Sequence, residues 1–359
     1  MLDITIKDIA KAAGVSTATV SYVINGSKTV TQEKRQRILD VIAKTGYQPN
    51  RAAKSLRTKK TNTIGVIVED IMAFSSAKII NGISEYMEKT NYHILLNDLR
   101  LMDSLFNQYD QVIYQKDKID RAMSYLVFGA EVEAIIYIGM FDRDISGIIA
   151  DVGRPVIIAY SASEDAHTPY ITYENEEIST QLARHLIDSG HMRIAVITGL
   201  AHTTPAQMRL RGIHKAFDEA KLVLDSRMVK NGNWERESGR TCMQDLLSHE
   251  EIMRPTAVFA MNDLMAIGAM DAIREAGLRV PEDISVIGFD NRQASSFVFP
   301  KLTTAEIDLQ SIGFTAAQMA VEKLADKGQY ADCRSVIVPS KIILRDTVAQ
   351  NQRNIATNI

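Results

Sequence analysis

Few polar and aromatic side chains in this chain are placed to act on another molecule, and they point to binding. Asn262-Asp263 and Asp290 each follow a short apolar run, Phe74 lies in a loop after another, and Arg209 stands three residues before Gly212 near the start of a helical stretch. Trp234, the only tryptophan, sits in a polar loop, Asn231-Gly232-Asn233-Trp234-Glu235. Ligands of open α/β sheets bind at the carboxyl ends of strands, and these residues fall at such ends or in loops. Arg, Asp and Asn side chains can hydrogen-bond adjacent hydroxyls, and aromatic faces can stack on the apolar C–H face of a sugar ring. Each has another possible role: Trp234 as packing, Asp290 as a cap, Arg209 as a surface ion pair.

Nothing comparable points to catalysis. No two of the 19 glycines are two residues apart, so no G-x-G-x-x-G fingerprint exists. There is no Walker loop, H-E-x-x-H or G-x-S-x-G. The two cysteines, Cys242 and Cys333, make neither a disulfide framework nor a metal site. We expect no enzyme, no cofactor and no metal.

A second set of polar residues lies in the first sixty. Apolar or small residues at Ile6, Ile9, Ala10 and Ala13 have helical spacing. Thr5 is placed to cap this helix by accepting a backbone N–H, with Asp8 in the first turn. Gly14 ends it, because glycine adopts a left-handed backbone without a side-chain clash. Val15 follows as a buried plug, and Ser16 caps a second helix that buries Val20, Val23 and Ile24 and ends at Asn25-Gly26. Two short helices crossing steeply need a small residue at the contact, which Ala10 supplies. The second helix then offers Thr17, Ala18, Ser21 and Tyr22 to a major groove. A third helix, Thr31 to Lys44, capped by Thr31, buries Ile38, Val41 and Ile42. Pro49-Asn50 starts a further helix of about eight residues, too short to be stable alone in water.

The charge is divided accordingly. Residues 1–60 hold 12 Lys/Arg and 4 Asp/Glu, a balance of +8, whereas the whole chain carries −3, leaving −11 on the rest. That asymmetry favours nucleic acid at the basic end over a protein-binding helical bundle. Beyond residue 63, strand-like runs alternate with helical ones: 64–68, 93–96, 134–138, 156–159, 194–197, 257–260 and 285–289, with helices such as 178–189 and 264–276 between. This predicts doubly wound sheets, and the length predicts two lobes. No apolar run approaches 18 residues and no basic leader precedes an apolar stretch. We therefore expect a cytoplasmic protein with no membrane partner.

The sequence resembles the LacI/GalR family of bacterial repressors. The resemblance rests on Thr5-Ile6-Lys7-Asp8-Ile9-Ala10, Gly14-Val15-Ser16, Thr19-Val20-Ser21, Val23-Ile24-Asn25-Gly26 and Gly46-Tyr47-x-Pro49-Asn50-x-x-Ala53-x-x-Leu56, and it extends through Leu344-Arg345-Asp346. It implies a small all-α helix-turn-helix head and an α/β body of two Rossmann-like lobes, as in periplasmic sugar-binding proteins. The implied organisation is a DNA-binding domain over 1–49, a hinge helix and linker over 50–63, an effector-binding and dimerisation body over 64–347, and a polar tail over 348–359. The implied function is repression through a pseudo-palindromic double-stranded operator, read by a homodimer and altered by a small effector, expected to be a carbohydrate. The alternative is a carbon-catabolite-type regulator whose corepressor is a phosphoprotein. The DNA-contact positions are Thr5, Ser16, Thr17, Ala18, Thr19, Ser21, Tyr22, Asn25, Tyr47, Asn50, Ser55, Leu56 and Arg57, with Leu56 as a minor-groove wedge. The effector positions are Phe74, Arg209, Trp234, Asn262 and Asp290. Tyr22 stands where the family often has arginine or histidine, Asp70-Ile71-Met72 lacks a frequent Asn-Pro, and Glu174-Asn175 replaces a common Asp-Asn.

Overall fold

The computed structural model of the chain describes residues 4–24, 29–47, 60–102, 115–165, 168–250, 254–325 and 335–351. It divides into two compact units, Met1–Thr61 and Asn62–Ile359.

The described residues of the head form the helices α1 (Ile6–Ala13), α2 (Thr17–Ile24) and α3 (Gln32–Thr45). Ile9, Ala10, Ala13, Val20, Val23 and Ile38 form its core. Gly14 ends α1 at φ 66°, and the Val15 N–H returns to the Ala10 carbonyl at 3.0 Å. Ser16 Oγ accepts the Thr19 N–H at 3.1 Å, the expected cap.

Thr5 and Asp8 form a capping box at the start of α1: the Thr5 side chain takes the Asp8 N–H, the Thr5 N–H gives to Asp8 Oδ2 at 2.9 Å, and the Thr5 hydroxyl donates to the same oxygen at 2.6 Å. A carboxylate accepts only, so the hydroxyl turns its proton that way and keeps its lone pairs for the N–H. Other local expectations fail. Thr31 makes no side-chain cap. Val15, Ile24, Val41 and Ile42 are half-buried, because so small a core cannot cover them.

The body contains two parallel sheets. The first lobe has β1 (Thr63–Val68), β2 (His93–Asp98), β3 (Ala134–Ile138), β4 (Val156–Ala159), β5 (Tyr170–Tyr173) and β11 (Val336–Val338), in the order β11-β5-β4-β3-β1-β2. The second has β6 (Ile194–Thr198), β7 (Val229–Asn231), β8 (Ala257–Ala260) and β9 (Ser285–Ile287), in the order β7-β6-β8-β9. Strands β3, β6 and β8 are buried along their whole length, which is why they read as unbroken apolar runs. Helices α4 (Ser76–Met87), α5 (Lys116–Ser124), α6 (Glu176–Asp188), α7 (Thr204–Glu219), α8 (Arg236–Leu247), α9 (Asp263–Glu275) and α10 (Leu309–Ala325) pack around them.

The chain passes between the lobes after β5, again before α10, and again through β12 (Lys341–Ile343), which pairs antiparallel with β10 (Thr304–Glu306). The start of the supposed polar tail is docked: the Ala349 carbonyl meets His191 Nε2 at 3.1 Å, and the Asn351 N–H reaches the Ser189 carbonyl at 2.8 Å. These short anchors satisfy backbone groups at the rim of the second sheet.

Candidate functional site

In the head, the exposed face of α2 carries the expected DNA-contact residues. Thr17, Ala18 and Tyr22 are exposed, Tyr22 to 55%, while Thr19 and Ser21 are half-buried. Thr5 and Ser16, which precede α1 and α2, are also exposed, and Tyr47, just after α3, is half-buried. A large aromatic left in solvent on a helix whose opposite face is core is available to an outside partner. Asn25, Asn50, Ser55, Leu56 and Arg57 lie outside the described residues.

In the body, one cleft collects the carboxyl ends of strands from both lobes. The first lobe contributes Phe74, Phe141, Asp142, Arg143, Tyr160 and Tyr173, and the second Arg209, Trp234, Asn262, Asp290 and Arg292. All five expected effector residues are therefore brought together. Three lining residues that are not glycine, Tyr160, Trp234 and Asp290, have positive φ of 64°, 74° and 108°. Such strain clusters at sites where side chains must be aimed against local preference.

Arg209 is the hub. It is 3% exposed, so it is no surface ion pair. Its Nε donates to Asn175 Oδ1 at 2.9 Å, Nη2 donates to the Tyr173 hydroxyl at 3.0 Å, and Nη1 donates to the Met261 carbonyl. Asp290 Oδ1 lies 3.7 Å from Nη2. The guanidinium also stacks 3.5 Å over the Phe289 ring, with Trp234 at 5.7 Å. Arg209 thus ties together the end of β5, the first crossover and the ends of β8 and β9. Asn175 passes the connection on, its Nδ2 donating to Asp142 Oδ2 at 2.7 Å.

Asn262 lines the cleft and also holds the Trp234 loop. Its Oδ1 caps α9 by accepting the Met265 N–H at 2.8 Å, and its Nδ2 donates to the Trp234 carbonyl at 2.8 Å. The oxygen and one N–H of the amide are thus engaged, which orients the Trp234 loop. Asp290 does not cap the following segment; its carboxylate faces Arg209 and Arg292. Phe74 is covered on one face by the Arg292 guanidinium, 4.2 Å from the ring centroid, and meets Tyr160 edge-on at 6.3 Å. That face is not open for a ligand to stack on while Arg292 lies there.

Burial sets the titration of the site. It pushes Asp142 up to about 6, although Asn175 and Arg209 oppose this. It pushes Asp263 up to about 7, assisted by the nearby charge of Asp290. Burial likewise raises Asp290 and lifts the Tyr173 hydroxyl to about 12. Removing a carboxylate from water disfavours its charged form unless partners compensate.

Sequence reasoning missed Tyr160, Tyr173, Asp142 and Arg292. Tyr160 directly follows the run 156–159, so the strand-end rule already used for Asp290 marks it. Tyr160 and Tyr173 stack at 5.2 Å. Arg292 had no signal beyond standing two residues after Asp290.

Comparison with known proteins agrees with this architecture. Residues 5–50 match the family described as bacterial regulatory proteins, lacI family, and residues 183–348 match the periplasmic binding protein-like domain. The chain is 35% identical over 347 residues to the HTH-type transcriptional repressor PurR of Pasteurella multocida (strain Pm70), covering 96% of this chain and 98% of that protein. It is 34% identical over 341 residues to the protein of that name from Haemophilus influenzae (strain PittEE), covering 94% and 97%. Among solved structures it is similar to the Lac repressor bound to ONPG in the repressed state, with a TM-score of 0.76 and 26% identity over 96% of this chain and 99% of that one. The Lac repressor dimer bound to operator and the anti-inducer ONPF gives a TM-score of 0.73 at 25% identity, with the same coverage.

Proposed function

This chain belongs to the LacI family of bacterial regulatory proteins and is a DNA-binding transcriptional repressor, not an enzyme. On that premise, we propose that a small effector held in the two-lobed cleft sets its affinity for a pseudo-palindromic operator. The observation that carries this reading is the cleft itself, where strand ends of both lobes converge on the buried Arg209–Asp290 pair among aromatic rings. A ligand that binds there and prefers one arrangement of the lobes must shift the equilibrium between arrangements.

Operator reading is assigned to a homodimer, since two half-sites one helical turn apart need two heads. Residues 1–49 would read the major groove through Thr17 and Tyr22. Residues 50–63 would form paired hinge helices with Leu56 in the minor groove, and residues 64–347 would hold the effector and the dimer contacts. The chromosome's compartment, the cytoplasm, suits this role, and among the described residues no helix is long and apolar enough to cross a membrane.

A carbohydrate suits the mixture of aromatic and charged lining. A specific observation favours a second reading, a flat nitrogen heterocycle such as a purine. Each nitrogen of Arg209 already gives a hydrogen bond within the protein, one Asn262 N–H goes to the Trp234 carbonyl, and Phe74, Tyr160, Tyr173 and Trp234 all line the slot. Ring stacking, rather than recognition of many hydroxyls, then supplies most of the contact.

The test is a thermal-shift screen of sugars and purines, followed by operator titration with and without each hit. A hit should change operator affinity by about 5- to 150-fold, a coupling of about 1–3 kcal/mol. Hits that stabilise the body yet leave operator affinity unchanged would refute the proposal. Light scattering at micromolar concentration checks the dimer; a monomer or stable tetramer contradicts it.

A further inference from the structure

Arg292 is the cation of the cleft with the smallest share of protein partners. Its Nε reaches Asp290 Oδ2 at 3.4 Å, a long contact, on a carboxylate it shares with Arg209. Its backbone N–H is fixed by Asp263 Oδ2 at 2.6 Å, and its carbonyl by Ser295, so the main chain is well held. Its two terminal nitrogens take no hydrogen bond among the described residues. The side chain remains 27% exposed. Arg143 differs in being 8% exposed and in holding a close ion pair, its Nη2 bonded to both Glu69 oxygens at 2.6 and 2.8 Å.

The guanidinium rests instead on Phe74 of the opposite lobe. A flat cation over an aromatic face occupies the space that a ligand ring would take, and it is attracted there by the ring quadrupole. A ligand seeking Phe74 must move it aside. Once displaced, a guanidinium with two unused nitrogens offers planar, paired donors, the geometry that matches a carboxylate or phosphate.

We propose that Arg292 is a specificity-determining residue that selects an effector carrying an acidic group, carboxylate or phosphate, on a ring. The ring takes the place of the guanidinium on Phe74, and the acid engages the displaced Arg292. This rests on the effector reading above and narrows it to anionic ligands.

Isothermal titration of the full chain tests this with two matched pairs, guanosine against guanosine 5′-monophosphate and glucose against glucose 6-phosphate. In the parent protein, the phosphorylated member of at least one pair should bind ten- to a hundredfold more tightly than its neutral partner. In Arg292→Gln that ratio should fall towards one, while Arg292→Lys should retain part of it. Because each ratio is taken within one protein, a general loss of stability does not imitate the result; thermal melts confirm that each variant is folded. A parent ratio near one, or an undiminished ratio in Arg292→Gln, overturns the inference while leaving the effector reading intact. Failure of all four compounds to bind overturns both.

Discussion

Trp234 lies with the six-membered ring of its indole directly against Gly199, so that a Cβ at position 199 would overlap the ring. The only tryptophan is therefore held in the cleft from three directions: by Gly199 beneath it, by Asn262 on its carbonyl, and by its own left-handed backbone. Gly199→Ala should push the indole out of place. The expected results are a shift in tryptophan emission and effector binding weakened by about 2- to 10-fold, the worth of one aromatic contact. Unchanged emission together with unchanged affinity would show that the indole is placed by something else.

Arg209→Ala should damage more than the ligand response. It strips partners from Asp290, Asn175, the Tyr173 hydroxyl and the Met261 carbonyl at a buried position. Breaking a buried pair by removing one member costs roughly 3–5 kcal/mol, because it leaves an uncompensated charge. Urea denaturation of the body should show a loss of this size. A change below about 1 kcal/mol would mean that Arg209 contributes little to joining the lobes.

Asp142 makes the stability of the body depend on pH. Its folded pKa of about 6 lies above its ordinary value of 3.8, so the native state binds more protons than the unfolded state between these values. Stability from this residue is greatest at low pH and falls as pH rises from about 4 to 6, by roughly 3 kcal/mol for two units. Asp142→Asn keeps an oxygen for the Asn175 amide but removes the titration. Its stability relative to the parent should climb across that window and level off above it. Asp263, raised to about 7, contributes with the same sign but is present in both proteins and so cancels. Parallel stability curves for the two proteins would exclude Asp142 as the source.

Tyr22→Ala should alter DNA sequence preference without disturbing the head. The side chain is 55% exposed and stands apart from the core of Ile9, Ala10, Ala13, Val20, Val23 and Ile38. Surface changes of this kind shift stability by about 0.5 kcal/mol or less. Loss of a good base contact costs about 1–3 kcal/mol at one position of the site. Selection from a randomised operator library would measure this; an unchanged consensus would remove Tyr22 from base reading.

The head can be read from local sequence, because a helix-turn-helix is specified by neighbours in the chain. Ile6, Ile9, Ala10 and Ala13 repeat at helical spacing, and Gly14 stops the helix where its backbone turns left-handed. It also determined the strands buried on both faces, such as Ala134–Ile138 and Ala257–Ala260, whose apolar runs need no partner to be recognised. The three-residue strands Val229–Asn231 and Thr304–Glu306 carry no such period, and only pairing with distant neighbours makes them strands. The position of Phe74, Asn262 and Asp290 just beyond apolar runs is enough to assign them to strand ends, and so to one cleft. Their work is not assigned by that position. Asn262 spends its amide on Trp234 and on a helix end, and Phe74 is covered by an arginine from the other lobe. Those partners are chosen by distance through space after the chain has crossed between lobes three times, and no local spacing of residues records which side chains will meet there.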